Sequence, residues 1–255
     1  MRFVRVSRPS GPAFGVLADG YVRLLDGHPF AKIEFTDQVA PVDQVKLLAP
    51  MIPSKVMCVG RNYADHAAEM GSEVPKEPLI FSKPATAVIG DGDVIELPKL
   101  STNVHHEAEL AVVIGRITRR VSVDEAHRAI LGYTCANDVT ARDLQKSDGQ
   151  WTRGKGFDTF CPLGPWIETD LDPAAGVTVR GTVNGEVRQE GSTADLIFSI
   201  PQLIAYVAAF TTLLPGDVLL TGTPAGVGPF HHRDEVGVEI EGIGALNNTA
   251  LNEET

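Results

Sequence analysis

The chain has 255 residues, 43% of them hydrophobic, enough to bury a sizeable core as one large domain or one domain with a small appendage, which excludes a disordered chain. Thirty-three acidic against 22 basic residues give a formal net charge of -11. No run of Lys and Arg forms the footprint that phosphate backbones demand, which argues against nucleic acid as a partner.

The start, Met1-Arg2-Phe3-Val4-Arg5-Val6-Ser7-Arg8-Pro9, alternates as a strand does and lacks the apolar segment and small-residue cleavage site of a signal peptide, so a cytoplasmic protein is expected. Up to about Pro50, short alternating segments such as Tyr21-Val22-Arg23-Leu24-Leu25 are separated by Gly, Pro and Asp turns. They predict a small N-terminal β-rich domain over residues 1–52, with a main body over 53–255. Pro50 and Pro53 bracket the linker, and Lys55 to Gly60 reads as a strand entering the body. A short helix is predicted from Asp65 to Met70.

Strands follow at Pro78 to Lys83, Glu107 to Gly115, Leu131 to Asn137, Val177 to Val183, Val218 to Thr221 and Val236 to Ile240. Between them Ser122 to Leu131 predicts a helix, opened by the Asp124-Glu125 pair. Asn184-Gly185 predicts a hairpin, since that dipeptide suits the positive φ angles of a type I′ turn. Ser199 can cap a helix running to Phe210, in which Ile200, Leu203, Ile204 and Val207 share a face. The apolar stretch from Leu196 to Leu214 is interrupted by Ser199, Pro201, Gln202, Thr211 and Thr212, so it reads as a buried helix and no membrane partner is expected. The polar tail after Ala250 is expected to fray. The total is α+β, predominantly β, without the strand and helix alternation of a doubly wound fold or a Rossmann unit.

Cys58, Cys135 and Cys161 are odd in number and widely spaced, which points to small core residues rather than a disulfide framework or thiolate zinc site. The chemistry concentrates in His105-His106-Glu107-Ala108-Glu109, where two carboxylates two residues apart begin an apolar strand and so point to one face. Such a pair needs a positive partner, and a hard divalent cation is the simplest; a solvated strand end is the alternative. Asp138, ending the strand before it, could supply a third carboxylate, a set that favours Mg²⁺ or Mn²⁺. Ligation by His105 or His106 would shift the preference to Zn²⁺ or Fe²⁺, against a surface role for both.

Residues 139–160 read as loops able to hold an anionic substrate, with Arg142 suited to a carboxylate and Lys155 to charge developing on an enolate. His66 and Glu69, three apart, share a face in a helical turn, where the carboxylate could orient the imidazole as a base. Thr221 to Gly228 has the wrong glycine spacing for a dinucleotide and reads as a tight turn bringing Thr223 near a ligand.

Read together, these segments resemble the fumarylacetoacetate hydrolase superfamily from about Lys55 onward, roughly four-fifths of the chain. The carriers are Gly60-Arg61-Asn62-Tyr63 with His66 and Glu69, Phe81-Ser82-Lys83-Pro84, His106-Glu107-Ala108-Glu109, Asn137 to Asp143, Gly154 to Thr159, and Gly222 to Gly228. The resemblance implies a mixed β-sheet roll or distorted barrel, a homodimer, and Mg²⁺ or Mn²⁺ held at Glu107, Glu109 and Asp138. It also implies a catalytic His66-Glu69 pair on a lid, a catalytic Lys155, and substrate contacts at Arg61, Lys83, Arg142, Gln145 and Thr223. The first fifty residues resemble, more loosely, the cap of many bacterial members.

The activity so implied acts on a small 2-oxo acid. The presence of both His66 and Glu69 favours hydrolysis of a carbon–carbon bond in an acylpyruvate such as fumarylpyruvate or acetylpyruvate. Isomerisation of a 2-hydroxyhepta-2,4-diene-1,7-dioate or decarboxylation of oxaloacetate are the alternatives, because function lives in the outer contacts of a site and not in its fold. A catalytically silent, metal-stabilised dimer is the non-enzymatic alternative.

Overall fold

Runs of β-branched and apolar residues build strands throughout, and the computed structural model, which describes residues 1–69, 71 and 73–254, arranges them in three sheets. The largest is mixed and open. Its order runs Phe35–Pro41, Tyr21–Leu25, Ala13–Ala18, Arg2–Val6, Cys161–Glu168, Ile130–Asn137, Ala108–Ile114, Val218–Leu220, Val56–Gly60, Leu79–Lys83. The N-terminal strands are thus continuous with the main body, through Arg2 opposite Glu168 and Phe3 opposite Ile167. A five-stranded sheet packs against its middle, in the order Glu186–Ser192, Thr178–Val183, Glu235–Ile240, Gly244–Asn252, Val94–Leu97. A three-stranded sheet of Thr140–Ala141, Val104–His106 and Gly228–Pro229 closes one end.

The strand Ala108–Ile114 is buried along its whole length because both its faces are covered. Leu110, Val112 and Ile114 meet Val179, Val238 and Ile240 of the smaller sheet together with Leu203, Ile204 and Val207 of the helix Ile200–Phe210. Ala111 and Val113, on the other face, meet Val56, Cys58, Cys161, Ile167 and Leu220. Each fully buried Leu, Ile or Val side chain is worth about 1.5–3 kcal/mol. The strand is therefore a rigid base for whatever its N-terminal end carries.

Several expected elements appear as read. Asn184 and Gly185 adopt φ of 52° and 78° in a two-residue turn, with Val183 opposite Glu186. The Gln202 side chain accepts the Ser199 N–H at 2.8 Å, closing the start of the buried helix. All three cysteines are free and buried. No helix among the described residues is long and apolar enough to cross a membrane.

Others differ. The helix expected from Ser122 to Leu131 is only a 3-10 turn, Ala126–Ala129, because Ile130 and Leu131 are drawn into the strand Ile130–Asn137, where Ile130 lies opposite Ile114. The polar stretch 139–160, expected as loops, winds into the helices Arg142–Asp148 and Thr152–Lys155, separated at Gly149 with φ of 70°. The short helix near His66 spans Ala64–Glu69; Met70, its expected end, lies outside the described residues. The tail is not frayed at Ala250, since Leu251 and Asn252 pair in parallel with Glu96 and Leu97; Thr255 lies outside the described residues.

Candidate active site

Glu107 sits at the break between Val104–His106 and Ala108–Ile114, and Glu109 two residues on, inside the second strand. Neighbouring register brings Asp138 to them, with Ala108 opposite Asn137 and the Asp138 N–H donating to the Glu107 carbonyl at 2.9 Å. The Asn137 side chain locks the same corner by accepting the Glu107 N–H at 3.0 Å. One carboxylate oxygen from each of Glu107, Glu109 and Asp138 lies within 4.8 Å of the others, and all three residues are buried. The alternative of a solvated strand end is excluded by that burial.

The cations around this cluster are distributed unequally. Lys155 Nζ lies 2.8 Å from Glu107 Oε2 and 2.6 Å from Asp138 Oδ2, Arg142 pairs with Glu107 Oε1, and Lys83 Nζ lies 2.7 Å from Asp138 Oδ1. Glu109 accepts the Gly222 N–H at 2.6 Å but forms no ion pair among the described residues. Burial alone works to raise the Glu107 pKa, but Lys155 and Arg142 outweigh it and hold the carboxyl below the usual range. For Glu109, burial and then the charges of Asp138 and Glu107 push the carboxyl well above it. Burial opposes the charge on Lys155, yet Asp138 and Glu107 outweigh that and keep its ammonium protonated.

Three converging hard oxygen donors, one of them lacking a counter-charge, fit a divalent cation of the Mg²⁺ or Mn²⁺ kind. Neither adjacent histidine belongs to the converging set, which removes the reason to expect Zn²⁺ or Fe²⁺. His105 Nε2 faces Asn103 Oδ1 at 2.9 Å, and burial followed by the Arg142 charge pushes its pKa down to about 4. His106 is turned to Gln189.

Above the carboxylates opens a cavity of about 220 Å³. It collects most of the residues expected to act: Arg61, His66, Glu107, Glu109, Arg142, Gln145, Lys155 and Thr223. Gln145 Oε1 accepts from Arg142 Nη1 at 2.7 Å and so aims the guanidinium. Arg61 holds a left-handed backbone, φ 58°, with its guanidinium 5.9 Å from the Trp151 ring centroid. Gly60 has to be glycine for that ring to approach, because a Cβ there would meet Trp151 Cζ3 at 2.7 Å.

Trp151 and Lys146 also line the cavity, and the sequence reading named neither as a site residue. Lys146 follows Gln145 directly in the helix Arg142–Asp148, a neighbourhood that could have flagged it. Four cationic side chains, Arg61, Arg142, Lys146 and Lys155, thus face a cavity suited to a small anion.

Besides Asp138, which is buried against Lys155 Nζ behind the wall, two expected site residues stand outside the cavity wall. Glu69 is one: its carboxylate meets His66 Nδ1 at 3.3 Å and accepts the Gly226 N–H at 3.1 Å, so it orients the imidazole from behind. Lys83 is the other, and the expectation of a substrate contact is corrected. Its ammonium is enclosed, donating to the carbonyls of Val139 at 2.9 Å and Phe160 at 2.8 Å and to that of Lys155, beside Asp138. It ends the strand Leu79–Lys83 with its side chain inward, where it fixes both Asp138 and the segment carrying Lys155. Lys83→Met should therefore act on stability, leaving a buried carboxylate short of a partner at a cost of about 3–5 kcal/mol. For a chain of this size that is a Tm roughly 6–20 °C lower. Thermal melting checks it, and an unchanged Tm would show that the ammonium is dispensable there.

Asn62, which the sequence reading treated only as part of a motif, anchors the base of the short helix. Its amide donates to the carbonyls of Thr221 at 2.8 Å and Phe198 at 3.1 Å, and its oxygen accepts the Phe198 N–H at 2.8 Å. The segment carrying Arg61 and His66 is thereby tied to the segment carrying Thr223.

Comparison with known proteins adds to this geometry. The family model described as "Fumarylacetoacetate (FAA) hydrolase C-terminal" matches residues 55–250, and one described as "Rv2993c-like, N-terminal" matches residues 1–50. A crystal structure of 5-carboxymethyl-2-hydroxymuconate delta-isomerase from Mycobacterium smegmatis is 49% identical with a TM-score of 0.93, covering 99% of this chain and 100% of that one. The structure of 2-hydroxyhepta-2,4-diene-1,7-dioate isomerase from Mycobacterium marinum is 46% identical, with a TM-score of 0.93 and all of both chains covered. Oxaloacetate tautomerase FAHD2A, mitochondrial, of Bos taurus is 47% identical over 226 residues, 84% of this chain and 72% of its own length.

Proposed function

The chain belongs to the fumarylacetoacetate hydrolase family, and from that premise we propose that it is a Mg²⁺- or Mn²⁺-dependent enzyme that interconverts tautomers of a small 2-oxo dicarboxylic acid. The observation that carries this reading is the buried trio Glu107, Glu109 and Asp138, of which the two glutamates line a cation-rich cavity that also holds His66. At about 220 Å³ the cavity is smaller than the roughly 300–1,000 Å³ of sites for drug-sized ligands, which favours a short acid. Relatives that bear the names of isomerases and a tautomerase support proton movement as the reaction.

Glu107, Glu109 and Asp138 would hold a divalent cation, which would supply Lewis acidity toward a 2-oxo oxygen. Lys155, held protonated beside the floor, donates to the same developing enolate oxygen. Arg142, steadied by Gln145, pairs with the carboxylate next to the 2-oxo group, while Arg61 and Lys146 face the distal carboxylate. Because Glu69 engages Nδ1 of His66, Nε2 is the nitrogen left to exchange a proton with carbon 3, the C–H bond breaking as an O–H bond forms on the 2-oxygen in one direction and the reverse in the other, with no water consumed.

Hydrolysis of an acylpyruvate is the second reading, and the His66–Glu69 contact favours it, since the same pair could activate a water against a distal carbonyl. The deciding experiment incubates metal-stripped protein, with and without Mg²⁺ or Mn²⁺, with oxaloacetate, a 2-hydroxyhepta-2,4-diene-1,7-dioate, fumarylpyruvate and acetylpyruvate, following enol absorbance and products. Metal-dependent enol loss without pyruvate or CO₂ supports tautomerisation. Pyruvate with a free acid moves the assignment to hydrolysis, and CO₂ from oxaloacetate to decarboxylation. Turnover of none, with melting raised by Mg²⁺, points to the silent metal-stabilised module.

In either reaction Glu69→Gln should lower turnover about 10- to 100-fold, a share of the 10²–10⁴ that a positioned base supplies. Mn²⁺ binding should not change, because Glu69 is not one of the three converging carboxylates. Steady-state kinetics beside calorimetric titration of Mn²⁺ tests both halves. The reading also takes the protein to be a cytoplasmic homodimer, which light scattering of the eluted protein tests for its oligomeric part.

A further inference from the structure

Gln189 belongs to the strand Glu186–Ser192, which contributes no residue to the cavity wall, yet its amide is buried behind that wall with 1% of the residue exposed. Its oxygen accepts the Ala108 N–H at 2.9 Å and faces His106 Nδ1 at 2.9 Å. Its nitrogen donates to Thr223 Oγ1 at 2.7 Å and to the Pro224 carbonyl at 2.8 Å. The two backbone partners fix which end of the amide is which, because an N–H only donates and a carbonyl only accepts.

The rest of the proton inventory follows. Thr223 has one hydroxyl proton, and it is directed to the Ala108 carbonyl at 2.8 Å. One lone pair of the hydroxyl is taken by Gln189. What the side chain can still offer a ligand is a single lone pair and a methyl group, and no donor.

Ala108 lies between the two glutamates, and this unit holds both its N–H and its C=O. On that side the ladder with Val218–Leu220 covers Ala111, Val112 and Val113 and stops short of Ala108, so Gln189 and Thr223 stand where a strand partner would. The peptide planes that aim Glu107 and Glu109 are thereby pinned from a hairpin remote in sequence.

We infer that Gln189 is a positioning residue: through the hydroxyl of Thr223 it fixes the backbone that aims Glu107 and Glu109, and it makes Thr223 a hydrogen-bond acceptor toward any ligand. The inference rests on the reading of Glu107, Glu109 and Asp138 as a divalent-cation site. An acceptor at that point favours a ligand carrying an O–H, such as an enol hydroxyl or a bound water, over an enolate oxygen.

The test is a double-mutant cycle on the full chain, read by calorimetric titration with Mn²⁺ alone and by thermal melting of the metal-free protein. Gln189→Met is expected to raise the Mn²⁺ dissociation constant about 10- to 100-fold, the usual cost of losing a group that orients metal ligands. Adding Thr223→Val should then weaken binding little further, because residues acting as one unit are non-additive. Factors that multiply, or singles that bind Mn²⁺ as the wild type does, overturn the inference. If Gln189→Met does not fold, Thr223→Val decides together with Thr223→Ser. Weak binding in the first and recovery in the second support the inference, and equal binding in both overturns it. A wild-type protein that fails to bind Mn²⁺ removes the inference with its premise. One that binds Mn²⁺ but turns over no 2-oxo acid sinks the proposed reaction and leaves the Gln189 result standing.

Discussion

Glu109→Gln is expected to lower metal-dependent turnover by at least about 10³-fold, the equivalent of the several kcal/mol that a Lewis acid supplies, while leaving the metal-free protein no less stable. The two effects separate because Glu109 differs from its neighbours. Glu107 and Asp138 each lie against ammonium or guanidinium groups, whereas Glu109, among the described residues, receives only the Gly222 N–H and is driven toward the neutral form by burial and by Asp138 and Glu107. Gln has the same shape, keeps an oxygen for Gly222, and carries no charge to be buried. A hundredfold excess of metal over its dissociation constant stabilises by about 2.7 kcal/mol, which for this size of chain is a Tm rise of roughly 5–11 °C. That rise should vanish in Glu109→Gln. Melting curves with and without Mn²⁺ measure it; a variant that keeps the full shift would show that the ion does not need this carboxylate.

His66→Ala should leave that Mn²⁺-dependent shift in place and lower turnover about 10²–10⁴-fold, the contribution of a positioned acid–base group. His66 lines the cavity and is held by Glu69, so its removal takes away a proton carrier without touching Glu107, Glu109 or Asp138. Partial recovery with added imidazole would mark the loss as chemical. Full turnover in the variant would mean a reaction without this base, as in loss of CO₂ from oxaloacetate. The assignment of His66 would then be wrong while the metal site stood.

The carboxylate pair was legible because the two-residue period of a strand is local information: Glu107 and Glu109 face one way whatever surrounds them. Whether they meet solvent or a cation was not local, since burial comes from Lys155, Arg142 and the sheet behind them. Lys83 shows the same limit from the other side. Phe81-Ser82-Lys83-Pro84 marks a strand end, but only the carbonyls of Val139 and Phe160, distant in sequence, reveal that the ammonium is enclosed. The helix expected from Ser122 gave way to pairing of Ile130 with Ile114, a tertiary contact overriding a capping signal. Gln189 left no trace, because a glutamine after Val187 and Arg188 in an exposed hairpin reads as one more solvated residue. By contrast, Asn184-Gly185 and the Ile200–Phe210 helix were correct for reasons contained within a few residues.

The parallel pairing of Val56–Gly60 with Val218–Leu220 bears on how the protein is made. Closing a loop from Val56 to Val218 carries an entropic cost before any contact repays it, so this part of the sheet assembles late during synthesis. Until the chain passes Leu220, Val56–Gly60 has a partner only in Leu79–Lys83, and Ala111 to Val113 only in Ile130–Asn137. Each leaves an apolar edge open, of the sort that recruits other chains. A frameshift or early stop before Val218 is thus expected to yield insoluble polypeptide rather than a soluble, inactive one.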